Sequence, residues 1–350
     1  MTTNRPFAVV TGGSSGIGLE LARQFASNGY DVLLAAEDDG KLPDAQNTLS
    51  GTGVTVTAHA ADLATEAGVD SLVRAIGARP VDAIAINAGV GLGGAFTDTD
   101  LQRELRMIDL NVRGAVQLAK PVVQAMKARG QGRVLFTSSI AGTMPDPFEA
   151  VYGSTKVFLR WFSEALREEL KDTGVTVTAL LPSTTETDFF RRADMMDTRA
   201  GTMKKDDPAV VAKAGYDALM AGKDKVVPTA KNKVMAAVAN LLPDPVAAKQ
   251  HRALSEPGSA KKEGGSKAAP IAAGVAALGA GAALFAYWRN GREDRREDAR
   301  GTHALVTPAS TAGTAAGSDQ PGATPLGAQV HTAVVPETGE VRTGEVRVGA

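Results

Sequence analysis

The chain contains no cysteine, which excludes disulfides, thiolate metal sites and cysteine nucleophiles and fits a reducing compartment. Its four histidines, His59, His251, His303 and His331, are scattered without the spacing of a zinc site, so no metal is expected. Neither sign of charge is in excess. With 38 basic and 39 acidic side chains, the formal charge of −1 gives no overall attraction to nucleic acid. The N-terminal residues lead straight into a short apolar run and lack the longer one of a signal peptide, which places the catalytic part in the cytoplasm. What the chain does have is apolar content: 43% of 350 residues, enough for a sizeable core.

From residue 7 to about 227, short β-rich apolar runs alternate with longer segments of helical period. That alternation predicts βαβ units and a doubly wound, Rossmann-type α/β sheet of about seven mostly parallel strands, with helices on both faces. The strands are expected at 7–11, 31–35, 54–58, 81–86, 133–137, 175–181 and 225–227, and the longest helix from near 151 to 173. Residues 182–207 break the rhythm with polar, Thr- and Asp-rich sequence after a strand end, where a doubly wound fold has its binding crevice; they read as a substrate lid.

The first strand runs into Thr11-Gly12-Gly13-Ser14-Ser15-Gly16-Ile17-Gly18, and a helical segment follows. Glycines there let backbone approach a pyrophosphate, and a helix N-terminus offers amide donors and partial positive charge. The second strand ends in Ala36-Glu37-Asp38, with no arginine or lysine nearby in sequence. A carboxylate at that point binds the ribose 2′-hydroxyl of NAD and repels the 2′-phosphate of NADP. NAD(H) is therefore favoured, NADP(H) stays open, and the alternative for Glu37 is the start of a solvated loop. Asp62, followed by Leu63, is placed to accept a hydrogen bond from the adenine amino group or to cap a helix. Asn87-Ala88-Gly89 closes the fourth strand at the same edge, where small residues permit backbone contact with the nucleotide.

Tyr152 and Lys156 are four apart on the expected long helix, so a phenol and an ammonium share one face. One positive charge at ~4 Å, with an effective dielectric of ~20, favours phenolate by roughly 4 kcal/mol, enough to bring a pKa of about 10 toward neutrality. Together with Asn111, Ser139, Pro182 and Thr187, these motifs in this order resemble the short-chain dehydrogenase/reductase family over residues 5–258. The resemblance implies that Tyr152 exchanges a proton with the substrate oxygen while the nicotinamide takes or gives a hydride. It implies that Lys156 lowers the tyrosine pKa and holds the ribose, that Ser139 stabilises developing charge on the substrate oxygen, and that Asn111 fixes a water in a proton relay. Pro182 and Thr187 are implied in nicotinamide contact, although Pro182-Ser183 departs from the family's usual Pro-Gly.

The expectation is thus an oxidoreductase acting on a small-molecule alcohol or carbonyl compound, with the alternative of a nucleotide-sensing or scaffolding protein on the same fold. The family resemblance also implies a homo-oligomer, assembled through helices around 115–129 and 151–170. The catalytic domain is drawn at 1–258 and a linker at 259–267. Residues 268–288 carry no charge but ten alanines, which leaves a membrane anchor, a soluble or oligomer-forming helix and disorder all open. Residues 289–350 are charged, then low in complexity, and are expected to be disordered.

Overall fold

Seven short segments pair as strands, and the central ones are buried along their length, as a parallel sheet covered on both faces requires. The computed structural model describes residues 5–37, 40–230, 232–233 and 242–264, all within one compact unit. In chain order the elements are β1 (Phe7–Thr11), α1 (Gly16–Ser27), β2 (Asp31–Ala36), α2 (Leu42–Leu49), β3 (Val56–Ala60), α3 (Glu66–Ile76), β4 (Ala83–Ile86) and α4 (Leu101–Ile108). They continue with α5 (Ala115–Arg129), β5 (Gly132–Thr137), α6 (Ala150–Glu169), β6 (Val175–Leu180), α7 (Phe189–Arg192), α8 (Arg199–Thr202), α9 (Pro208–Met220), β7 (Lys225–Val226) and α10 (Asp244–Ser255). The sheet order is β3-β2-β1-β4-β5-β6-β7, with every neighbouring pair parallel. The order reverses between β1 and β4, and that is where a doubly wound sheet opens a crevice at its carboxyl edge.

Alternation along the central strands feeds two cores. Val9 and Leu33 face Leu72, Leu118, Met126 and Leu159 of α3, α5 and α6, while Val10 and Leu34 face Leu21 and Phe25 of α1 and Val211 and Leu219 of α9. Several boundaries differ from the sequence expectation by a few residues, and three of the differences have a visible cause. β3 runs to Ala60, since β2 continues to Ala36 and Ala36 pairs with Ala60. β4 begins at Ala83, because the Asp82 carboxylate accepts from the Phe7 amide (2.8 Å). α6 stops at Glu169, ahead of a turn that ends at Gly174 with φ +74°.

Residues 182–207 carry α7 and α8, and their ends are tied by a parallel bridge between Thr185 and Asp206. Leu254 of α10 packs on the lid cluster of Phe190, Ala193, Met195 and Ala200. Just past residue 258 the chain is still bound to the lid: the Arg199 amide donates to Ser259 Oγ (2.9 Å), and the Ala260 amide donates to the Asp197 carbonyl (3.0 Å). No helix among the described residues is long and apolar enough to cross a membrane. The apolar stretch 268–288 and the tail 289–350 lie outside the described residues.

Candidate active site

A cavity of about 620 Å³ runs along the carboxyl edge of the sheet. Its floor is a glycine cradle. Gly12 and Gly16 take φ of +64° and +55°, which disfavour any other residue. A Cβ on Gly18 would lie 2.0 Å from the Gly12 carbonyl oxygen, and one on Gly89 would lie 3.1 Å from both Asn111 Oδ1 and Lys156 Nζ. Ser15 is the N-cap of α1 but makes no side-chain cap hydrogen bond, so first-turn amides stay available to an anion. Such a surface fits a dinucleotide: backbone donors beside a helix N-terminus, with room reserved by missing side chains. Gly12, Ser14, Ser15, Gly16, Ile17 and Gly18 line it, as do Asn87, Ala88 and Gly89.

Thr11 and Asn111, expected at the cavity, stand behind it. Thr11 Oγ1 accepts from the amides of Asn87 (2.9 Å) and Ala88 (3.0 Å), joining the ends of β1 and β4. Asn111 is wholly buried; its Nδ2 donates to the Val90 carbonyl and to Thr155 Oγ1, and its Oδ1 accepts from the Val90 amide. Its side chain braces the loop after β4 against α6. It lies on a π-helical turn, Asp109–Gly114, which shifts the backbone hydrogen-bonding register there.

At the end of the cavity beside β2 and β3, Glu37, Asp62 and Leu63 are in the lining. The absence of a nearby base does not survive folding. Arg106 of α4, 69 residues beyond Glu37, donates to Glu37 Oε1 (3.0 Å) and to both carboxylate oxygens of Asp62 (3.0 and 3.1 Å). Sequence distance hid it, since only the packing of α4 brings it to the ends of β2 and β3.

At the other end Ser139, Tyr152, Lys156, Pro182 and Thr187 share the wall. Ser139 caps the turn after β5, accepting from the Ala141 amide (3.1 Å). Lys156 Nζ donates to the Thr137 carbonyl (3.0 Å) and lies 5.6 Å from the centre of the Tyr152 ring. Burial pushes Lys156 down to about 8. Tyr152 moves the opposite way to the sequence expectation: burial first, then the charge of Glu149, raises its phenol above the ordinary value, and a hydrogen bond with Ser139 only partly opposes this. The wall is closed by the lid, where Lys41 Nζ holds Asp188 Oδ2 at 2.7 Å and Phe189 packs 5.1 Å from Tyr152, centroid to centroid.

A second cluster stands beside Tyr152, assembled from residues whose spacing carries no signal. Asp146, Glu149 and His251 have polar atoms within 4.8 Å of one another. His251 Nδ1 lies 2.6 Å from Asp146 Oδ1, and Ser255 Oγ donates to Glu149 Oε2 at 2.9 Å. His251 and Ser255 belong to α10, about a hundred residues away from the carboxylates they meet. Burial, then the Asp146 charge, raises Glu149 to about 7. His251 is raised because its contact with Asp146 outweighs its burial.

The family model for short chain dehydrogenase matches residues 6–197. The chain belongs to this family. As a short-chain dehydrogenase it is an oxidoreductase, and its fold agrees with solved members. It is 32% identical to a 3-dehydrosphinganine reductase of Arabidopsis thaliana over 226 residues, 61% of this chain and 67% of that protein. A short-chain dehydrogenase from Sphingobium yanoikuyae in complex with NADPH is 27% identical with a TM-score of 0.61, over 67% of this chain and 94% of that one. A bulky-bulky ketone specific alcohol dehydrogenase from Comamonas testosteroni is 28% identical with a TM-score of 0.57, over 68% and 94%.

Proposed function

We propose that this short-chain dehydrogenase interconverts an alcohol and a carbonyl compound using NAD(H), with Tyr152 as general acid/base. The observation that carries the reading is the convergence of Ser139, Tyr152 and Lys156 on one wall of the cavity that holds the glycine cradle. Bound there, the nicotinamide supplies or accepts the hydride. In reduction the Tyr152 hydroxyl gives its proton to the substrate oxygen, the Ser139 hydroxyl donates a hydrogen bond to the same oxygen, and the Lys156 charge stabilises the phenolate left behind. The relatives' names, a reductase and a ketone-specific alcohol dehydrogenase, support the reaction type.

Glu37 supports NAD(H): it lines the cavity just past the end of β2, where a carboxylate favours a ribose 2′-hydroxyl over a 2′-phosphate. Arg106 reduces the bias by neutralising part of the acidic pair. The test is a nicotinamide-fluorescence titration of the full chain with NADH and NADPH, followed by a panel of ketones, aldehydes and secondary alcohols. NADH binding with turnover is the expected result. Binding without turnover across a broad panel would favour a nucleotide sensor.

A homo-oligomer belongs to the same proposal. Leu101, Leu105 and Ile108 of α4 and Phe158 and Trp161 of α6 are exposed. The outer face of α5, by contrast, carries Lys120, Gln124 and Lys127, so α4 and α6 are the helices that suit an interface.

A further inference from the structure

Glu149 is 94% buried by its 6% relative exposure, yet it lines the cavity. One carboxylate oxygen takes the Ser255 hydroxyl, and the other has no hydrogen bond among the described residues. The neighbouring charges offset it only in part: His251 lies within 4.8 Å and favours the carboxylate, while Asp146 opposes it. Asp146 and His251 pair with each other at 2.6 Å, Lys156 donates to the Thr137 carbonyl, and Arg252 is turned to Glu256 and the face of Phe148. A buried carboxylate with only a hydroxyl for partner is costly unless a cation completes it.

The chain makes room for this cluster at some expense. Phe148, immediately before Glu149, has φ +67°, which a bulky residue rarely adopts. Gly153 lies inside α6, where a Cβ would sit 2.5 Å from Asp146 Cβ, and a helix glycine costs about 1 kcal/mol relative to alanine. Glu149 is the N-cap of α6 and Tyr152 the third residue of its first turn, and no side-chain cap hydrogen bond ties up the carboxylate there. Both residues line the cavity from the same end of α6, so one bound molecule can reach Glu149 with one group and Tyr152 with another. Apolar side chains also line the cavity, among them Met144, Phe189, Phe190, Met203 and Leu254.

We propose that Glu149, backed by the Asp146–His251 pair and Ser255, is a recognition subsite for a substrate ammonium group, so that the cavity takes an amino alcohol or amino ketone carrying an apolar chain. This deepens the oxidoreductase reading and rests on it. The ammonium forms a charge-assisted hydrogen bond with the open carboxylate oxygen. It also opposes the field that Glu149 exerts on the Tyr152 phenol.

The test has two arms, both on the full chain saturated with nicotinamide nucleotide. In the first, hexylamine and hexanol compete for the cavity, read by nicotinamide fluorescence; in the second, kcat/KM is compared for a vicinal amino alcohol with an octyl chain and the same alcohol with methyl in place of the ammonium. The amine is expected to be favoured roughly ten- to a hundredfold in both arms, and Glu149→Gln is expected to erase the ratio. Equal binding of hexylamine and hexanol overturns the subsite, and so does equal turnover of the two alcohols, which would leave the oxidoreductase reading intact. Preferential amine binding with neither alcohol turned over supports the subsite and sinks the oxidoreductase reading instead. The wild-type comparison decides the matter even if the variant misfolds.

Discussion

The Lys156 ammonium donates to the Thr137 carbonyl at 3.0 Å and stands 5.6 Å from the centre of the Tyr152 ring. The lysine is thus anchored by β5 while it faces the phenol, and burial makes it the more weakly held of the two protons: about 8 for Lys156, with Tyr152 above its ordinary value. Tyr152→Phe is expected to lower kcat by about 10²–10⁴-fold while nucleotide affinity stays within a few-fold. Lys156→Met should lower both kcat and affinity. With wild-type protein, kcat/KM for reduction should fall as pH rises through about 8, where Lys156 loses its charge. A pH profile flat from neutral to alkaline conditions would show that the lysine charge is not used.

Arg106 bridges Glu37 and Asp62 from a third element. Arg106→Ala leaves two unneutralised carboxylates at the adenosine ribose, so the NADH-to-NADPH ratio of kcat/KM is expected to rise about tenfold, and Glu37→Gln should narrow it. Steady-state kinetics with both nucleotides checks the pair of variants. A ratio unmoved by either would remove Glu37 from cofactor selection.

Gly18 leaves no room for a side chain, since a Cβ would lie 2.0 Å from the Gly12 carbonyl oxygen. The contact is backbone to backbone and cannot be relieved by a rotamer. Gly18→Ala is expected to abolish nucleotide binding and to lower the melting temperature by several degrees, corresponding to about 1–3 kcal/mol of overpacking. Fluorescence titration and thermal unfolding measure the two effects.

Glu149, Asp146 and His251 all bind protons more tightly folded than unfolded. The folded state therefore holds more protons than the unfolded state as the pH rises from about 4.5 to 7, and stability must fall across that window. For Glu149 alone, a rise from 4.5 to about 7 corresponds to about 3 kcal/mol. Glu149→Gln is expected to flatten the decline and to raise the melting temperature at pH above 7. Unfolding curves of the nucleotide-free protein across this range test the sign, and a stability that climbs with pH would contradict it.

Leu105 and Trp161 are exposed on the adjoining α4 and α6. If these helices form a homo-oligomer interface, Leu105→Asp with Trp161→Asp should halve the mass measured by light scattering without loss of the folded signal. An unchanged mass would place the interface elsewhere.

The fold was readable because each central strand is a short segment rich in apolar and β-branched residues bounded by turn chemistry, and the glycine turn and the Tyr152/Lys156 pair are local patterns. Where two strands compete for an ending, hydrogen-bonding register overrode composition: β3 extends to Ala60 through its pairing with Ala36, although its outer residues are not apolar. Thr11 and Asn111 were legible as site-associated but not as buried braces, because burial of a polar side chain depends on partners such as Val90 and Thr155 that no spacing announces. Arg106 and His251 were illegible for the same reason, their partners lying 44 to 105 residues away. The phenol of Tyr152 moves opposite to what one neighbouring cation predicts, because burial and then the charges of Glu149 and Asp146 favour its protonated form.

Ser259 accepts the Arg199 amide across sixty residues of chain. A protein truncated after residue 258 would keep every catalytic side chain yet lose the clasp that fixes the first turn of α8, and with it part of the roof over the apolar wall. Recombinant boundaries chosen from the motif region alone would then yield an enzyme that binds nucleotide normally and handles substrate poorly, a defect easily mistaken for the wrong substrate.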